Sequence, residues 1–226
     1  MFSKCEMATS MFMKLQDEWE RLPPDAYADM IRTKRFRRYS KLNYSQHAGL
    51  TTDIVTDPTF YQSAEINSVY GGIDRRFPQI QQSTIQSPTF LRIFKVVVEA
   101  LPSHLRKSFD SSRSNPDRQA LKASAHQIRC TCDKATAVSP APEGIHRDGH
   151  QFLSITLICR ENVNGGISRI YDNKGRLVFE QKLTSPLDTI VINDLTMMHS
   201  ISEITCGNDA NEGKRDILIF DFDLSP

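Results

Sequence analysis

The segment EGIHRDGHQFLSITLI, residues 143–158, joins a cluster of charged side chains to an apolar stretch. Its second half, residues 150–158, is rich in β-branched and aromatic residues, which predicts a β-strand. In its first half, His146 and Asp148 are two positions apart, so they project from the same side of an extended backbone. The segment therefore predicts a strand preceded by two side chains that can bind one ion.

The pattern of strands extends outward from this segment. From about residue 119 the chain alternates between apolar and polar residues, with turn signals at NGG (164–166) and NKG (173–175). The predicted strands are 120–132, 150–158, 166–172, 176–183, 188–194 and 215–222. Short strands at this spacing after a helical half predict an α+β fold: a double-stranded β-helix (jelly-roll, cupin-like) core buttressed by N-terminal helices.

The first half of the chain shows helical periodicity. Helices are predicted at 11–22 and 25–35, separated by Pro23 and Pro24, and at 88–101, where Ser87 can cap the first turn. We expect one domain, 1–226, with a mainly helical part at 1–118 and the jelly-roll core at 119–226. Residues 111–119 (SSRSNPDRQ) are interpreted as the joining loop.

Composition excludes several classes of partner. The 28 Lys and Arg residues nearly cancel the 27 Asp and Glu residues, so no net field attracts nucleic acid or an anionic membrane. The basic run 32–41 (RTKRFRRYSK) is interpreted as the solvated end of a helix rather than a nucleic-acid contact. We expect a monomer or homodimer with small-molecule partners, without nucleic-acid or membrane binding.

The N-terminus and the cysteines indicate a cytoplasmic protein. Acidic residues interrupt the first 20 positions, where a signal peptide needs an unbroken apolar region, and no apolar stretch is long enough to span a membrane. The five cysteines are odd in number and scattered, which argues against a disulfide framework or a thiolate zinc site. We therefore expect reduced thiols that pack as small apolar groups.

A third metal ligand must come from a distant part of the chain. We expect it on a distant strand, and His199, in the segment DLTMMHSIS, is the last histidine of the chain. His146, Asp148 and His199 have the composition of a two-histidine, one-carboxylate triad that binds Fe(II) and leaves three positions open. Gly149 favours a bend before His150, which is interpreted as lining the pocket or supporting a ligand. The remaining histidines, His47, His104 and His126, are interpreted as ordinary surface or core residues.

Arg215 opens the last predicted strand and shares a face with Ile217 and Ile219. A guanidinium group at the end of an apolar wall can bind a carboxylate through two hydrogen bonds, as a 2-oxo acid cosubstrate requires. The alternative is a surface ion pair with Asp216 or Glu212.

Three other interpretations compete with an iron site. HRD at 146–148 matches a protein-kinase triplet, but Leu153 stands where a kinase needs asparagine, and the glycine-rich loop is absent. A cupin-like zinc or manganese isomerase or hydrolase would use more histidines, and His150 is the one spare. In a non-enzymatic binding module, the HxD motif and Arg215 would be surface features. The order of HxD, a later histidine and a following arginine would then be a coincidence.

Three segments carry a resemblance to a known family: EGIHRDGHQFLSITLICRENVNGGISRIYD, PLDTIVINDLTMMHSIS and GKRDILIFDF. They resemble the 2-oxoglutarate and Fe(II) dependent dioxygenases of the bacterial L-isoleucine 4-hydroxylase type, over roughly residues 119–223. The resemblance implies iron on His146, Asp148 and His199, with Arg215 binding the distal carboxylate of 2-oxoglutarate. Ile217 stands where many relatives have a serine or threonine, which leaves the second donor to that carboxylate unidentified.

The resemblance also implies the reaction. Fe(II), 2-oxoglutarate and O2, with ascorbate as a reductant in vitro, would oxidise an unactivated C–H bond of a free aliphatic L-amino acid, with succinate and CO2 as co-products. Hydroxylation is the expected outcome; desaturation or ring closure, for example to an aziridine, is the alternative, and a modified peptide or natural-product intermediate is the alternative substrate. For the substrate's charged groups the candidates are Arg129 (preferred), Arg147 and Arg160 for the carboxylate, and Glu143 or Asp194 for the ammonium.

Overall fold

The computed structural model describes residues 4–29, 32–44, 53–54, 59–103, 121–207 and 209–223. The helices are α1 (Lys4–Gln16), which continues as a 3-10 turn (Asp17–Arg21), α2 (Gln82–Ile85) and α3 (Pro88–Ala100). The strands are β1 (Arg35–Tyr44), β2 (Asp53–Ile54), β3 (Thr59–Phe60), β4 (Arg75–Arg76), β5 (Leu121–Asp133), β6 (Phe152–Glu161), β7 (Val163–Gly165), β8 (Ile167–Asp172), β9 (Leu177–Lys182), β10 (Thr189–Asn193), β11 (Met197–Ile201), β12 (Ile204–Cys206) and β13 (Glu212–Asp223).

The strands form antiparallel sheets, as the sequence predicts. The main sheet has six strands in the order β10-β6-β13-β5-β1-β2, and a second sheet has the order β11-β8-β9. Two short pairs, β12-β7 and β3-β4, complete the strand pairing of the described residues. The α+β jelly-roll prediction is confirmed, and all six predicted strands are present with shifts of at most three residues at their ends.

Helix α3 covers the outer face of the main sheet. Its predicted cap is confirmed, since the Ser87 hydroxyl accepts a hydrogen bond from the Phe90 backbone N–H and Pro88 occupies the first turn. Phe90 and Phe94 meet Phe220 of β13 edge-on, with ring centroids 5.4 and 5.1 Å apart. The periodic apolar face of α3 therefore packs against outward-facing side chains of β13.

The helix predicted at 25–35 is wrong. Residues 25–29 and 32–34 form turns, in which the Asp25 carboxylate accepts a hydrogen bond from the Tyr27 backbone N–H. The Asp25 backbone N–H donates to the Arg35 carbonyl, so the segment folds back on itself. Local side-chain hydrogen bonds from aspartate compete with helix formation, and here they prevail.

The basic run is likewise a strand rather than the end of a helix. Strand β1 pairs with β5 over its whole length, from Arg35 opposite Cys130 to Tyr44 opposite Leu121. Because strand side chains alternate, Arg35 and Arg37 share one buried face. The interpretation as a solvated helix end is therefore wrong, and the mainly helical part predicted at 1–118 contributes strands to the main sheet.

Three smaller predictions concern membrane spans, the cysteines, and a loop with two histidines. In the part of the chain that is described, no helix is both long and apolar enough to cross a bilayer. Cys130, Cys132, Cys159 and Cys206 are free thiols, of which the first two are buried, as expected. The loop 111–119, together with His47 and His104, lies outside the described residues.

Candidate active site

His146 and His199 lie directly opposite each other across a two-residue antiparallel bridge. Each backbone N–H donates to the other's carbonyl, at 3.0 and 2.8 Å, and the ring centroids are 4.3 Å apart. His199 is on β11, whereas His146 lies in the segment before β6. The bridge explains how two histidines 53 positions apart reach the same point.

Asp148 completes a compact set of ligand atoms. Its carboxylate oxygens lie 3.7 Å from His146 Nε2 and 3.5 Å from His199 Nε2, and the three ligand atoms are all within 4.8 Å of one another. The Nδ1 atom of His146 is hydrogen-bonded to the Gly144 carbonyl at 2.8 Å, which leaves Nε2 free. Two imidazole nitrogens and one carboxylate oxygen fit a divalent transition metal such as iron and leave coordination positions open.

Electrostatics keep His199 and Asp148 in the forms that bind metals. Burial lowers the pKa of His199 to about 4, so its imidazole is neutral at physiological pH. Burial alone would raise the pKa of Asp148, but His199 and His146 outweigh it and lower the pKa. A neutral imidazole and an ionised carboxylate are the metal-binding forms.

Asp194 fixes the loop that carries Asp148. One carboxylate oxygen accepts hydrogen bonds from the backbone N–H groups of Asp148, Gly149 and His150, at 3.0, 2.7 and 3.2 Å. The other oxygen lies 3.7 Å from His199 Nδ1. Asp194 is fully buried and is absent from the cavity lining, so its contacts favour support of the metal ligands over the predicted binding of a substrate ammonium.

His150 lies outside the ligand set, as expected, but it is also absent from the wall of the cavity that this set borders. Gly149 has φ +87°, which produces the predicted bend. The Nδ1 atom of His150 lies 2.7 Å from an Asp223 carboxylate oxygen, and its Nε2 lies 3.7 Å from Asp221. Although burial alone would lower it, Asp221 and Asp223 raise the pKa of His150 to about 10.

The ligand set lies on the wall of a cavity between the two sheets. The main sheet contributes Ile128 and Ile217, and the second sheet contributes Ile170 and His199. Arg215 lines the same cavity and is 3% exposed. Among the described residues, its Nε and Nη2 atoms have no hydrogen-bond partner. Burial lowers the pKa of Arg215 to about 10, so it stays charged at neutral pH and can bind an anion.

The structure corrects the prediction for Arg129. This residue lies on the opposite face of β5 from His126 and Ile128, which line the cavity. Its guanidinium group forms hydrogen bonds of 2.7 and 2.8 Å with both carboxylate oxygens of Glu20 and two of 2.7 Å with those of Asp216. Arg129 therefore forms a structural ion pair outside the cavity.

The other predicted substrate residues divide between the cavity and its surroundings. Arg147 donates to the Met197 carbonyl at 3.1 Å and to Asn173, and Arg160 donates to the carbonyls of Val163 and Gly165 at 2.9 and 2.7 Å. Neither lines the cavity. Glu143 does line it, with a nearly buried side chain whose Oε1 atom lies 3.9 Å from His146 Nε2. Of these three residues, Glu143 alone is in a position to contact a substrate.

Sequence reasoning missed three buried arginines, Arg35, Arg37 and Arg75, which line the cavity and are hereafter the arginine cluster. Arg35 and Arg37 belong to the basic run, and their spacing of two residues was the available signal, since it is typical of one face of a strand. Arg75 lies on the two-residue strand β4, and no local pattern distinguishes it from its exposed neighbour Arg76.

Two more residues that line the cavity, Ser168 and His126, were not predicted from the sequence to do so. Ser168 of β8 is buried, and its hydroxyl has no hydrogen-bond partner in the described part of the chain. His126, interpreted from sequence as ordinary, lies in the cavity wall, with Nε2 2.6 Å from an Asp221 oxygen and Nδ1 facing Arg37. Burial lowers the pKa of His126 to about 4, so it is a neutral link between Arg37 and Asp221.

The fold and this site define a class of enzyme. The sequence matches the family described as 2OG-Fe dioxygenase over residues 16–221. The chain belongs to this family and is a 2-oxoglutarate-dependent non-haem iron dioxygenase. Its cofactors are accordingly Fe(II), 2-oxoglutarate and O2, and the donor set formed by His146, Asp148 and His199 fits the metal.

Individual relatives cover nearly the whole chain. The L-isoleucine-4-hydroxylase of Bacillus thuringiensis is 26% identical over 216 residues, which are 94% of this chain and 83% of the relative. The structure of IDO from Bacillus thuringiensis matches with a TM-score of 0.73 at 20% identity, covering 96% of this chain and 87% of the other. A bsmA homolog from Methylobium petroleophilum PM1 matches with a TM-score of 0.75 at 24% identity, covering 95% and 82%. The two structural matches show the shared fold.

Proposed function

We propose that this dioxygenase hydroxylates an unactivated C–H bond of a free aliphatic L-amino acid, at an Fe(II) bound by His146, Asp148 and His199. The observation that carries the proposal is the convergence of the three ligand atoms, within 4.8 Å of one another, on a cavity that is also lined by Arg215, whose Nε and Nη2 atoms have no partner among the described residues. When bound, the iron with 2-oxoglutarate and O2 supplies the oxidising chemistry, and succinate and CO2 are the co-products.

Arg215 binds the distal carboxylate of 2-oxoglutarate in this proposal. Its two unpartnered nitrogens can form the paired hydrogen bonds that a carboxylate accepts. Ser168 is our candidate for the second donor, because its buried hydroxyl lines the same cavity and lacks a partner among the described residues. It would replace the hydroxyl that Ile217 does not provide. Binding the cosubstrate would relieve the cost of burying these unpaired groups.

An aliphatic substrate is supported by the lining and by the relative. The cavity wall contains isoleucine side chains from both sheets, which exclude water and favour an apolar substrate side chain. These are Ile128, Ile155, Ile170, Ile201, Ile217 and Ile219. The curated relative, 26% identical, is an L-isoleucine-4-hydroxylase, which makes L-isoleucine the first substrate to test.

The test is a succinate-release screen over the twenty amino acids with Fe(II), ascorbate and 2-oxoglutarate. We expect an aliphatic amino acid to stimulate release and to gain one oxygen by mass. A loss of two hydrogens would instead indicate desaturation or ring closure and would contradict hydroxylation. Unstimulated release with every amino acid would contradict the substrate class, and no release under any condition would contradict the proposed iron site.

A further inference from the structure

The arginine cluster has far fewer partners than its burial demands. Arg35, Arg37 and Arg75 are each at most 5% exposed. Arg35 forms an ion pair with Asp25 at 2.7 Å, whereas Arg37 contacts His126 and Arg75 contacts the Gln62 carbonyl oxygen, both of which are neutral. Within the described residues, three buried cations thus have one carboxylate in direct contact.

The three cations also repel one another. Burial, together with the charge of the neighbouring Arg35, lowers the pKa of Arg37 to about 10. Burial and Arg35 lower the pKa of Arg75 in the same way. Both stay protonated at neutral pH, so the cluster holds like charges close together in a site shielded from water. Such an arrangement costs free energy, and a bound anion would offset the cost.

Unused hydrogen-bond donors remain on each member of the cluster. In the described structure, Arg35 Nη2, Arg37 Nε and Arg75 Nε have no partner. Aromatic rings help to hold the guanidinium groups in place: the Arg37 Cζ atom lies over the Phe77 ring, 4.3 Å from its centroid, and that of Arg75 lies over the Phe60 ring, 4.7 Å from its centroid. Guanidinium groups held in this way are preorganised to receive a carboxylate.

Glu143 supplies the opposite charge in the same cavity. Its Oε2 atom is buried and has no hydrogen-bond partner among the residues that are described. An ammonium group can donate three hydrogen bonds, and a carboxylate with a free oxygen is its natural acceptor. The cavity thus offers one site for a carboxylate and one for an ammonium.

Gln62 ties the arginine cluster to the metal ligands. Its side-chain oxygen accepts a hydrogen bond from Arg75, and its amide nitrogen donates to the Asp148 backbone carbonyl at 2.9 Å and, at 3.3 Å, to an Asp148 carboxylate oxygen. One side chain therefore spans the distance between Arg75 and a proposed iron ligand. A small molecule bound by Arg75 lies next to the metal centre.

We propose that the substrate binds as a zwitterionic α-amino acid, with its carboxylate on the arginine cluster and its ammonium on Glu143. The assignment rests on the proposed function and adds the residues that bind the carboxylate and the ammonium of the substrate. The charge balance agrees with a neutral substrate side chain. The four arginines that line the cavity are matched by four carboxylates: Glu143, Asp148, Asp221 and, behind Arg35, Asp25. The 2+ charge of Fe(II) and the 2− charge of 2-oxoglutarate would cancel each other, so a zwitterion leaves no excess charge.

The test is calorimetric binding to anaerobic protein loaded with Fe(II) and 2-oxoglutarate, so that binding is measured without turnover. The probes are L-isoleucine, L-isoleucinamide, which lacks the carboxylate, and 3-methylpentanoate, which lacks the ammonium. We expect the wild type to bind L-isoleucine about 10- to 100-fold more tightly than either analogue, since each analogue loses hydrogen bonds to a buried charge.

Two variants test which residue is responsible for the preference for a carboxylate and which for the preference for an ammonium. Arg75→Gln is expected to bind L-isoleucine and L-isoleucinamide with affinities within about threefold of each other, while still binding 3-methylpentanoate more weakly. Glu143→Gln is expected to bind L-isoleucine and 3-methylpentanoate with similar affinities, while still binding L-isoleucinamide more weakly. Arg76→Gln, which changes an exposed neighbour of Arg75, serves as the matched control and should keep both preferences. Because each preference is a ratio within one protein, a general loss of affinity does not imitate the effect.

The outcomes separate this assignment from the proposed function. If L-isoleucine binds but Arg75→Gln keeps the full preference for the acid, the carboxylate assignment is wrong and the function stands. Equal wild-type binding of all three probes would overturn the assignment even if Arg75→Gln does not fold. If none of the twenty amino acids binds to the wild type, the proposed function fails and the assignment fails with it.

Discussion

Buried arginines on the two faces of the central strands β5 and β13 differ in whether they are paired with carboxylates. On the outer face, Arg129 is bonded to the carboxylates of Asp216 and Glu20. On the inner face, Arg215 has nitrogens without a partner among the described residues. Although Arg215 adjoins Asp216 in sequence, the alternation of the strand sends the two side chains to different faces.

The difference distinguishes a structural cation from a binding one. Burial would lower the pKa of Arg129, but its hydrogen bonds to Asp216 and Glu20 outweigh burial and raise the pKa. For Arg215, burial prevails and lowers the pKa to about 10. A buried cation with its own carboxylates contributes to folding, whereas one without them reduces stability until an anion binds. We therefore expect substitutions on the outer face to change stability and those on the inner face to change ligand binding.

The largest effect is expected for a metal ligand on the inner side. His199→Ala removes one of the three proposed protein ligands, so we expect no measurable turnover and loss of bound iron. Iron content after desalting and succinate release measure the two effects. His150→Ala is the control, since His150 lies outside the ligand set, and it should retain iron. Stoichiometric iron in His199→Ala would contradict the proposed triad.

The convergence of His146, Asp148 and His199 could be predicted because their geometry is mostly local. His146 and Asp148 share a face through their spacing alone, and one histidine remained downstream to complete the set. Arg215 was predicted on similar grounds, from its position at the start of a strand. The backbone bridge that joins His146 to His199 was not predictable, because it depends on how two distant segments pair.

The arginines show where sequence reasoning stops. Whether Arg37 or Arg38 faces the cavity depends on the register between β1 and β5, which places Arg37 opposite Ile128. A shift of one residue would exchange the faces, and no local pattern sets that register. The same uncertainty led to the wrong choice of Arg129, which faces Glu20 of the 3-10 turn and Asp216 instead of the cavity.

The next largest effect is expected on the outer face. Arg129→Met leaves Asp216, which is 1% exposed, without its partner, so we expect a loss of about 3 kcal/mol in the free energy of unfolding. Urea denaturation measures this loss, and the KM for 2-oxoglutarate should be unchanged. The double variant Arg129→Met with Asp216→Leu removes the unpaired charge and should recover most of the stability. A raised KM without loss of stability would reverse the roles of the two faces.

Arg215→Met is expected to give the opposite pattern. The KM for 2-oxoglutarate should rise about 10- to 100-fold, because hydrogen bonds to a charged group are lost, while iron stays bound. Without 2-oxoglutarate, the free energy of unfolding should stay equal or increase, since an unpaired buried cation has been removed. Steady-state kinetics and urea denaturation measure both quantities. A stability loss as large as that of Arg129→Met would show that Arg215 is also a structural cation.

The smallest effect is expected at the exposed end of the outer ion pair. Hydrogen bonds from Arg129 and Lys214 lower the pKa of Glu20 to about 2. Because the folded pKa lies below the ordinary glutamate value of 4.5, Glu20 stabilises the fold above that value, and the contribution is lost as the pH falls toward 2. The Glu20 side chain is 53% exposed, so solvent screening limits the loss in Glu20→Gln to less than about 1 kcal/mol at pH 7. Urea denaturation at pH 7, 5 and 3 should show that the free energy of unfolding falls less steeply with pH in Glu20→Gln than in wild type. Glu99→Gln, on the exposed face of α3, is the control. Equal slopes would mean that the buried Asp216 alone neutralises Arg129, and the outer face would then depend on one carboxylate instead of two.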